Sequence, residues 1–432
     1  MARTVAAGTI SQAIIDAQNA SSRVPYIRIY IDGTDYSARL LYLEHHEEAY
    51  RDRAVIGLSN RDNALDGLDL DGKAFKIAYG YVTGNAVAEP FGNGVTAEYT
   101  ETAPLWVKSH QIISVQGDRT YQIYAEGSWM FLRERKTIGG ITGWAASTAY
   151  ILNQSIGATT PNGHIFKCTT AGTSGGTEPT WNTASAAHTN DGSVVWTEDG
   201  ASSPYYNVFN ATRTVYGLIN LIIETALAWD LVDSPTDDGI IDTFKPVFEI
   251  NSLPFENAAA LLYRLIWMTK SYLRAEPIYT AGVLYPRFRV VYPQIADAAD
   301  KTYYSDKAHW FTEYAEKTIL LIPNSIVVLC NQDPTGDWNT TAYPLVVGTA
   351  SDAAQIAKYT GVGNEVIEVF MAGSISTATG RTLAEVQADA NLRAEAILVK
   401  LASETLGGRG IVPHDAQIEL YDKVIFSDTR GM

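Results

Sequence analysis

The chain has 432 residues, 46% of them hydrophobic, and 48 acids against 32 bases for a formal charge of −16. That length and apolar content can bury a real core and suggest two to four domains, while the acidic balance, with no cluster of Lys and Arg, argues against a protein that grips nucleic acid by neutralising phosphates. Cys168 and Cys330 form neither a disulfide framework nor a zinc spacing and read as reduced thiols; with no apolar signal region in 1–20 and no long apolar run, the chain is expected to be made as a soluble protein in the cytoplasm.

Residues 9–20, TISQAIIDAQNA, predict a short helix with a narrow apolar stripe of Ile10, Ile14 and Ile15. Such a stripe needs a partner subunit to pack on, or else the segment 1–23 is a mobile arm. From Val24 the pattern turns to strands. PYIRIYIDGTDYSARL alternates Ile27, Ile29 and Ile31 with Arg28 and Tyr30 and turns at Asp32 and Gly33, as a hairpin does. RDRAVIGLSN and KAFKIAYGY continue it with Val55 and Ile56, then Phe75, Ile77 and Tyr79. Asp62, Asp66, Asp69 and Asp71 in the connection between them miss the spacing of a calcium loop, so a solvated loop is expected. After a long loop at 84–102 come LWVKSHQIISVQ and TYQIYAEGSWMFL. Five or six strands within about 110 residues predict a first β-barrel or sandwich over 24–138.

Residues 144–196 differ in texture from their surroundings: almost free of charge, rich in Thr, Ser, Ala, Gly and Asn, and broken by glycines and prolines into strand-sized pieces, of which 164–169 and 193–197 are the best. Gly139, Gly140 and Gly143 before them, and 200–204 after, mark 139–204 as a small β domain inserted at an exposed turn. Trp144, Tyr150, Phe166, Pro179, Trp181 and Trp196 together resemble the small chitin-type carbohydrate-binding modules. That resemblance implies stacking of a sugar's apolar face on an aromatic ring, with Trp181 as the best exposed platform, aided by Tyr150, Trp196 and Trp144, and with Phe166 as core. Gly172, Thr173, Ser174, Gly175 and Gly176 match a hydrolase nucleophile elbow, but no buried strand precedes them and no helix follows, so they read as a flexible turn.

Beyond the insert the character is mixed. TVYGLINLIIETALAW places Leu218, Ile219, Ile222, Ile223, Ala226 and Leu227 on one helical face, and FENAAALLYRLIWMTKSYL does the same with Leu261, Leu262, Leu265, Ile266 and Met268, opened by Pro254. Trp267, Met268 and Tyr272 read as core. These give an α/β connector over 205–317. From Thr318 strands return, with Pro323 at an edge or bulge. One long helix follows, with Thr382 and Glu385 as a capping box, Leu383, Val386, Ala390, Ile397, Leu398 and Leu401 as its buried stripe and Gly407 as its stop. Strands plus this helix predict a second barrel over 318–432. The fold class is therefore mainly β with α+β parts.

The phrases RDRAVIGLSN, IAYGY, PLWVKSHQIISVQG, MTKSYLRAE, TYYSDKAHWFTEYAEKTILLIPNSIVV and AQIELYDKVIFSDTRG resemble the baseplate hub, or tail hub, proteins of long-tailed bacteriophages. The resemblance covers nearly the whole chain outside the insert. It implies two tail-tube-like barrels per chain, a homotrimer giving a ring of six barrels under the hexameric tail tube or distal tail protein, and a central spike or tail fibre protein as the other neighbour. DNA then passes the ring without specific binding, past a wall kept acidic or neutral by residues such as those of 62–71, Asp422 and Asp428. The insert departs from the bare hub pattern and would face a host-surface polysaccharide.

An enzyme reading stands beside it. Asp237 with Asp238 and Glu47 with Glu48 are common on solvated loops and lack a glycosidase setting. His45 and His46 are adjacent and face opposite sides of a strand. His110, His164, His188, His309 and His414 have no metal spacing, and His309 beside Trp310 reads as a structural histidine. No catalytic, metal or cofactor-binding residue is expected, and a glycan-binding cell-wall hydrolase is the alternative.

Overall fold

The computed structural model describes residues 10–429 apart from 90, 135–141, 151–153, 161, 202–206, 211–212, 228, 233–237, 251–255, 281–282, 295, 308–309, 319–321, 334, 359–364, 374, 378–380 and 405. The chain forms two compact units, one from 1–130, 273–318 and 406–432, the other from 131–272 and 319–405.

The first unit begins with α1 (Gln12–Asn19) and continues through β1 (Pro25–Ile31), β2 (Thr34–Asp35), β3 (Leu40–Glu48), β4 (Arg51–Ser59), β5 (Ala74–Val82), β6 (Ala97–Glu101), β7 (Leu105–Val115) and β8 (Asp118–Gly127). These strands form one eight-stranded sheet in the order β2-β1-β5-β7-β8-β4-β3, with β6 on β5. At its middle the sheet nearly parts, because β5 and β7 share only the pairs Ala74–Trp106 and Phe75–Leu105. Two leaves result and close over a common core. Ile29, Ile31, Phe75 and Ile77 from one leaf meet Ile56, Leu58, Tyr121 and Ile123 from the other, all buried. Each such side chain contributes roughly 1.5–3 kcal/mol of burial.

The expected barrel does not close: β2 and β3 remain the ends of the sheet, which folds at the β5–β7 seam instead of joining them. The Asp-rich connection is also more than a solvated loop. Leu65 and Leu70 tuck into the core, Arg39 holds Asp62 at 2.7 Å and Arg119 holds Asp66 at 3.0 Å. On β1 the alternation holds on one face only, since Arg28 is itself buried among Asp35, Glu89 and Glu101.

Ser11 caps α1 by accepting from the Ile14 amide at 3.2 Å. The helix lays Ile10 and Ile14 against Tyr81 and Ala416, and Gln18 Nε2 donates to Asp415 Oδ2 at 2.7 Å. Its stripe therefore packs on its own unit, where the sequence had suggested a partner subunit or a mobile arm.

After α2 (Trp129–Glu134), the second unit carries β9 (Thr142–Gly143), β10 (Ala149–Tyr150), β11 (Ser155–Gly157), β12 (His164–Thr170), β13 (Gly172–Thr173), β14 (His188–Asp191) and β15 (Val194–Ala201), which make up the inserted module. Then come β16 (Asn207–Asn210), α3 (Val215–Leu227), β17 (Asp230–Val232), β18 (Val247–Ile250) and α4 (Ala258–Ile266). Helix α3 is buried at Leu218, Ile219, Leu221, Ile222 and Ile223. Asn257 caps α4 by accepting from the Ala260 amide at 2.8 Å, while Pro254 lies outside the described residues.

The chain then returns to the first unit with β19 (Tyr272–Thr280), β20 (Val283–Val291), β21 (Lys301–Tyr304) and β22 (Glu313–Thr318). It leaves again for β23 (Ser325–Cys330), β24 (Val346–Ser351), α5 (Ala353–Ile356), β25 (Ile367–Met371) and α6 (Leu383–Glu404), and ends in the first unit with β26 (Leu406–Ile411) and β27 (Val424–Ser427). Helix α6 starts on the expected capping box, with Glu385 Oε2 accepting from the Thr382 amide at 2.8 Å and Thr382 Oγ1 from the Glu385 amide at 3.3 Å. Its face of Val386, Ala390, Ala394 and Ile397 is buried; Leu383, expected in that stripe, is exposed. Small residues set how closely α6 lies on the sheet, since a Cβ on Gly348 would stand 2.3 Å from the Ala390 carbonyl. In place of a second barrel, β24-β23-β25 form a three-stranded sheet under α6, while β26 pairs with β22 and β27 with β21. No sheet among the described residues is closed.

Candidate functional site

In the inserted module β14-β15-β12-β11-β9 form a five-stranded sheet and β10 pairs with β13. The strands expected at 164–169 and 193–197 are present as β12 and β15. A module this small has few apolar side chains, and it uses its aromatics for the core. Tyr150, Ile156, Phe166, Cys168, Val194 and Trp196 are buried together, with Trp144 and Trp181 half-buried against them. Phe166 stacks on Trp181 with ring centroids 4.2 Å apart, and Tyr150 meets Trp196 edge-on at 4.8 Å.

One carboxylate organises this cluster. Asp191 Oδ2 accepts from Trp144 Nε1 at 2.7 Å and from Trp196 Nε1 at 3.0 Å, and Oδ1 accepts from the Gly175 amide at 2.7 Å. Buried indole N–H groups need such a partner. Trp181 Nε1 donates instead to Glu178 Oε1 at 2.8 Å. Glu178 also accepts from the Thr159 amide at 2.8 Å; these bonds prevail over burial and hold its carboxyl below the ordinary glutamate value.

Of the four residues the sequence put forward as a carbohydrate platform, Trp196 is 0% and Tyr150 5% exposed. Neither can stack on a sugar; both are core because Asp191 and the Ala145 backbone satisfy their polar atoms. Trp181 and Trp144 keep partial exposure. Of the residues expected to form a flexible turn, Gly172 and Thr173 instead make β13 against β10, and the buried Ser174 donates to the Ala145 carbonyl at 2.7 Å and accepts from the Thr148 amide at 2.9 Å, which commits its hydroxyl to structure.

Two hollows occur elsewhere. In the first unit His45, Glu47, Glu48, Asp52, Trp129, Arg274 and Glu419 line a cleft of about 30 Å³, room for a water or two and for nothing larger. Burial, together with Glu47 and Glu48, pushes Asp52 up to about 7. His45 Nδ1 lies 2.8 Å from the Tyr79 hydroxyl, whereas His46 Nε2 points the other way, 2.7 Å from Glu44 Oε1. Asp238 is buried and caps a turn, accepting from the Ile240, Ile241 and Lys270 amides and the Ser271 hydroxyl, all at 2.8–2.9 Å. Its neighbour Asp237, like His309, lies outside the described residues. In the second unit a groove of about 320 Å³ is lined by Phe244, Pro246, Tyr263, Trp267, Met268, Met371 and Ile375 with Arg264 and Arg393. Trp267 and Met268, read as core from sequence, form its wall. Both arginines are engaged, Arg264 with Glu256 at 3.0 Å and Arg393 with the Trp267 carbonyl, so the groove suits apolar groups more than bond-making chemistry. Among the described residues no three His, Cys, Asp or Glu converge as metal ligands, and no helix is long and apolar enough to cross a membrane.

Strand β7 also presents an open edge. Among the described residues, β7 beyond Val107 pairs with β8 on one side and with no strand on the other. Every residue from Lys108 to Val115 is exposed, Ile112, Ile113 and Val115 among them. A bare strand edge of this length is a template for another strand, and isolated proteins blunt such edges. Of the acids expected to line a channel wall, Asp62 and Asp66 are tied to arginines and Asp422 is buried 3.9 Å from Arg274; Asp69 and Asp71 stay exposed.

No protein-family model and no curated protein matches the chain. Among solved structures it is similar to the tail protein from Neisseria meningitidis MC58, at 8% identity over 94% of this chain and 88% of that one with a TM-score of 0.43. It is similar to the 43 kDa tail protein of prophage MuSo2 from Shewanella oneidensis, at 10% identity over 95% and 91% with a TM-score of 0.48. A third similarity is to the half-lidded Francisella PdpA–VgrG complex, at 8% identity over 83% of this chain and 46% of that one with a TM-score of 0.38.

Proposed function

We propose that the chain is a structural hub of a phage tail tip or baseplate. Three copies form a ring that adapts the hexameric tail tube to a central spike or fibre, and DNA passes through it. The observation that carries this reading is the unclosed eight-stranded sheet with the bare β7 edge from Lys108 to Val115: a chain that leaves such an edge exposed is built to be completed by neighbours. The hub-like phrases in the sequence support it, as does an excess of acids that would not hold passing phosphates. Light scattering on the purified chain tests it. A mass three times that of one chain at micromolar concentration is expected, and a monomer at every concentration would refute it.

The inserted module is proposed as a peripheral reader of a host-surface polysaccharide through the partly exposed rings of Trp181 and Trp144, with Trp196 and Tyr150 as the core beneath them. Quenching of tryptophan fluorescence by chitin oligosaccharides and by cell-wall glycans is the test; no change with any of them, at millimolar concentration, would remove the module from this role.

A further inference from the structure

We propose that Glu178 makes the inserted module a reader of amine-bearing sugars: a sugar ring lies on the exposed part of Trp181 while its ammonium group meets the Glu178 carboxylate at the edge of the indole. The inference rests on the glycan reading of the module and says which glycans it takes.

The segment from Glu178 to Trp181 bends back across Pro179, so that Trp181 Nε1 donates to Glu178 Oε1 at 2.8 Å and the carboxylate stands at the edge of the indole. The Thr159 amide reaches the same oxygen at 2.8 Å. A carboxylate has about four acceptor sites on its two oxygens, and Glu178 is only half-buried, so acceptor capacity remains toward solvent after both bonds are made. Burial opposes its charge, but the bonds from Trp181 and Thr159 prevail and hold the carboxyl below the ordinary glutamate value, which keeps it ionised at neutral pH. Phe166 covers one face of the indole, with ring centroids 4.2 Å apart and planes 24° from parallel. The part of Trp181 that stays exposed is what a ligand meets.

The fixed charges beside the rings have one sign. Across 144–201 the acids are Glu178, Asp191, Glu198 and Asp199, and Lys167 is the one Lys or Arg. Asp191 binds the indoles of Trp144 and Trp196. Lys167 stands between the buried Phe166 and Cys168 on β12 and so faces the side of the sheet away from the aromatic core, where its charge acts on Asp199 and Glu224. An anionic wall polymer laid on Trp181 would therefore meet Glu178 and no compensating Lys or Arg of the module. A sugar with a free amine meets two partners at once, a carboxylate that makes a charge-assisted bond and an indole face that attracts cations. Acetylation of that amine keeps the stacking and the N–H and removes the charge.

The test uses the full chain, tryptophan fluorescence and two probes that differ only in acetylation: the glucosamine trimer and the N-acetylglucosamine trimer, in mildly acidic buffer where the free amine is charged. The amine trimer is expected to bind about threefold to tenfold more tightly. Glu178→Gln, whose amide keeps an oxygen for Trp181 and Thr159 but removes the charge, should bring the two affinities together, and a matching thermal melt establishes that it folds. Thr180→Lys, at an exposed neighbour outside the bonds to Glu178, is the second variant and should erase the preference as well. Equal affinities in the unsubstituted chain, or a preference that survives in either folded variant, overturns the role of Glu178 and leaves the glycan reading standing. So does silence with both trimers while a wall glycan still quenches. Silence with every glycan overturns both.

Discussion

Replacing Asp191 with alanine removes one carboxylate and strands three donors: Trp196 Nε1, Trp144 Nε1 and the Gly175 amide. Bonds to a charged acceptor are worth about 1.5–3 kcal/mol each, and a buried donor left without an acceptor bears its full desolvation cost. The combined loss is therefore about 4.5–9 kcal/mol. A domain of this size has only about 3–9 kcal/mol to lose, so the module should unfold, or nearly so, at 37 °C while the first unit stays folded. Asp191→Asn keeps one acceptor oxygen and turns an NH2 toward the remaining donors, and should lose about half as much. Limited proteolysis with mass spectrometry reads this directly, since cleavage should concentrate in 144–201 and spare β1–β8. Intact resistance of the Asp191→Ala module, with a melt shifted by less than about 0.5 kcal/mol, would show that the aromatic cluster does not depend on the carboxylate.

Asp52 should give the first unit a pH slope. Its folded value of about 7 lies above its ordinary 3.8, so the folded form binds the proton more tightly; stability is full below about 4 and falls as pH rises through 7, by at most about 4 kcal/mol. Melts of Asp52→Asn should lose that slope, and equal slopes in the two proteins would count against it. Gly348→Ala puts a methyl 2.3 Å from the Ala390 carbonyl and should cost about 2–3 kcal/mol in chemical denaturation by lifting α6 from its sheet; an unchanged midpoint would contradict that packing. Trp181→Ala should abolish glycan quenching, whereas Trp196→Ala should unfold the module by about 3–5 kcal/mol of lost core; glycan binding that survives Trp181→Ala would move the site elsewhere. Deleting 140–204 should leave assembly intact, with light scattering as the check; loss of the trimeric mass in the deleted protein would make the insert part of the ring.

What the sequence made legible was local. The capping box of Thr382 and Glu385 and the stripe of Val386, Ala390 and Ile397 placed α6 because helix signals lie within a few turns of one another. The alternation in β1, β4 and β5 did the same for strands. What escaped were partners distant along the chain. Nothing near Ile10 and Ile14 announces that Tyr81 and Ala416 cover them, and nothing near Arg28 announces Glu89 and Glu101. The barrel expectation failed for the same reason: five or six of the eight strands were readable, but the two-pair seam between β5 and β7 was not. In the module the aromatic residues were visible and their exposure was not. Whether a tryptophan is platform or core depended on the acceptor for its N–H, and Asp191, five residues before Trp196, was the available clue.

Under the ring proposal, the bare edge of β7 is completed by another copy of the chain. Negative-stain imaging of the full chain tests it most directly. Class averages with threefold symmetry around an open channel are the predicted result; compact particles without rotational symmetry, at concentrations where the protein stays soluble, would contradict it.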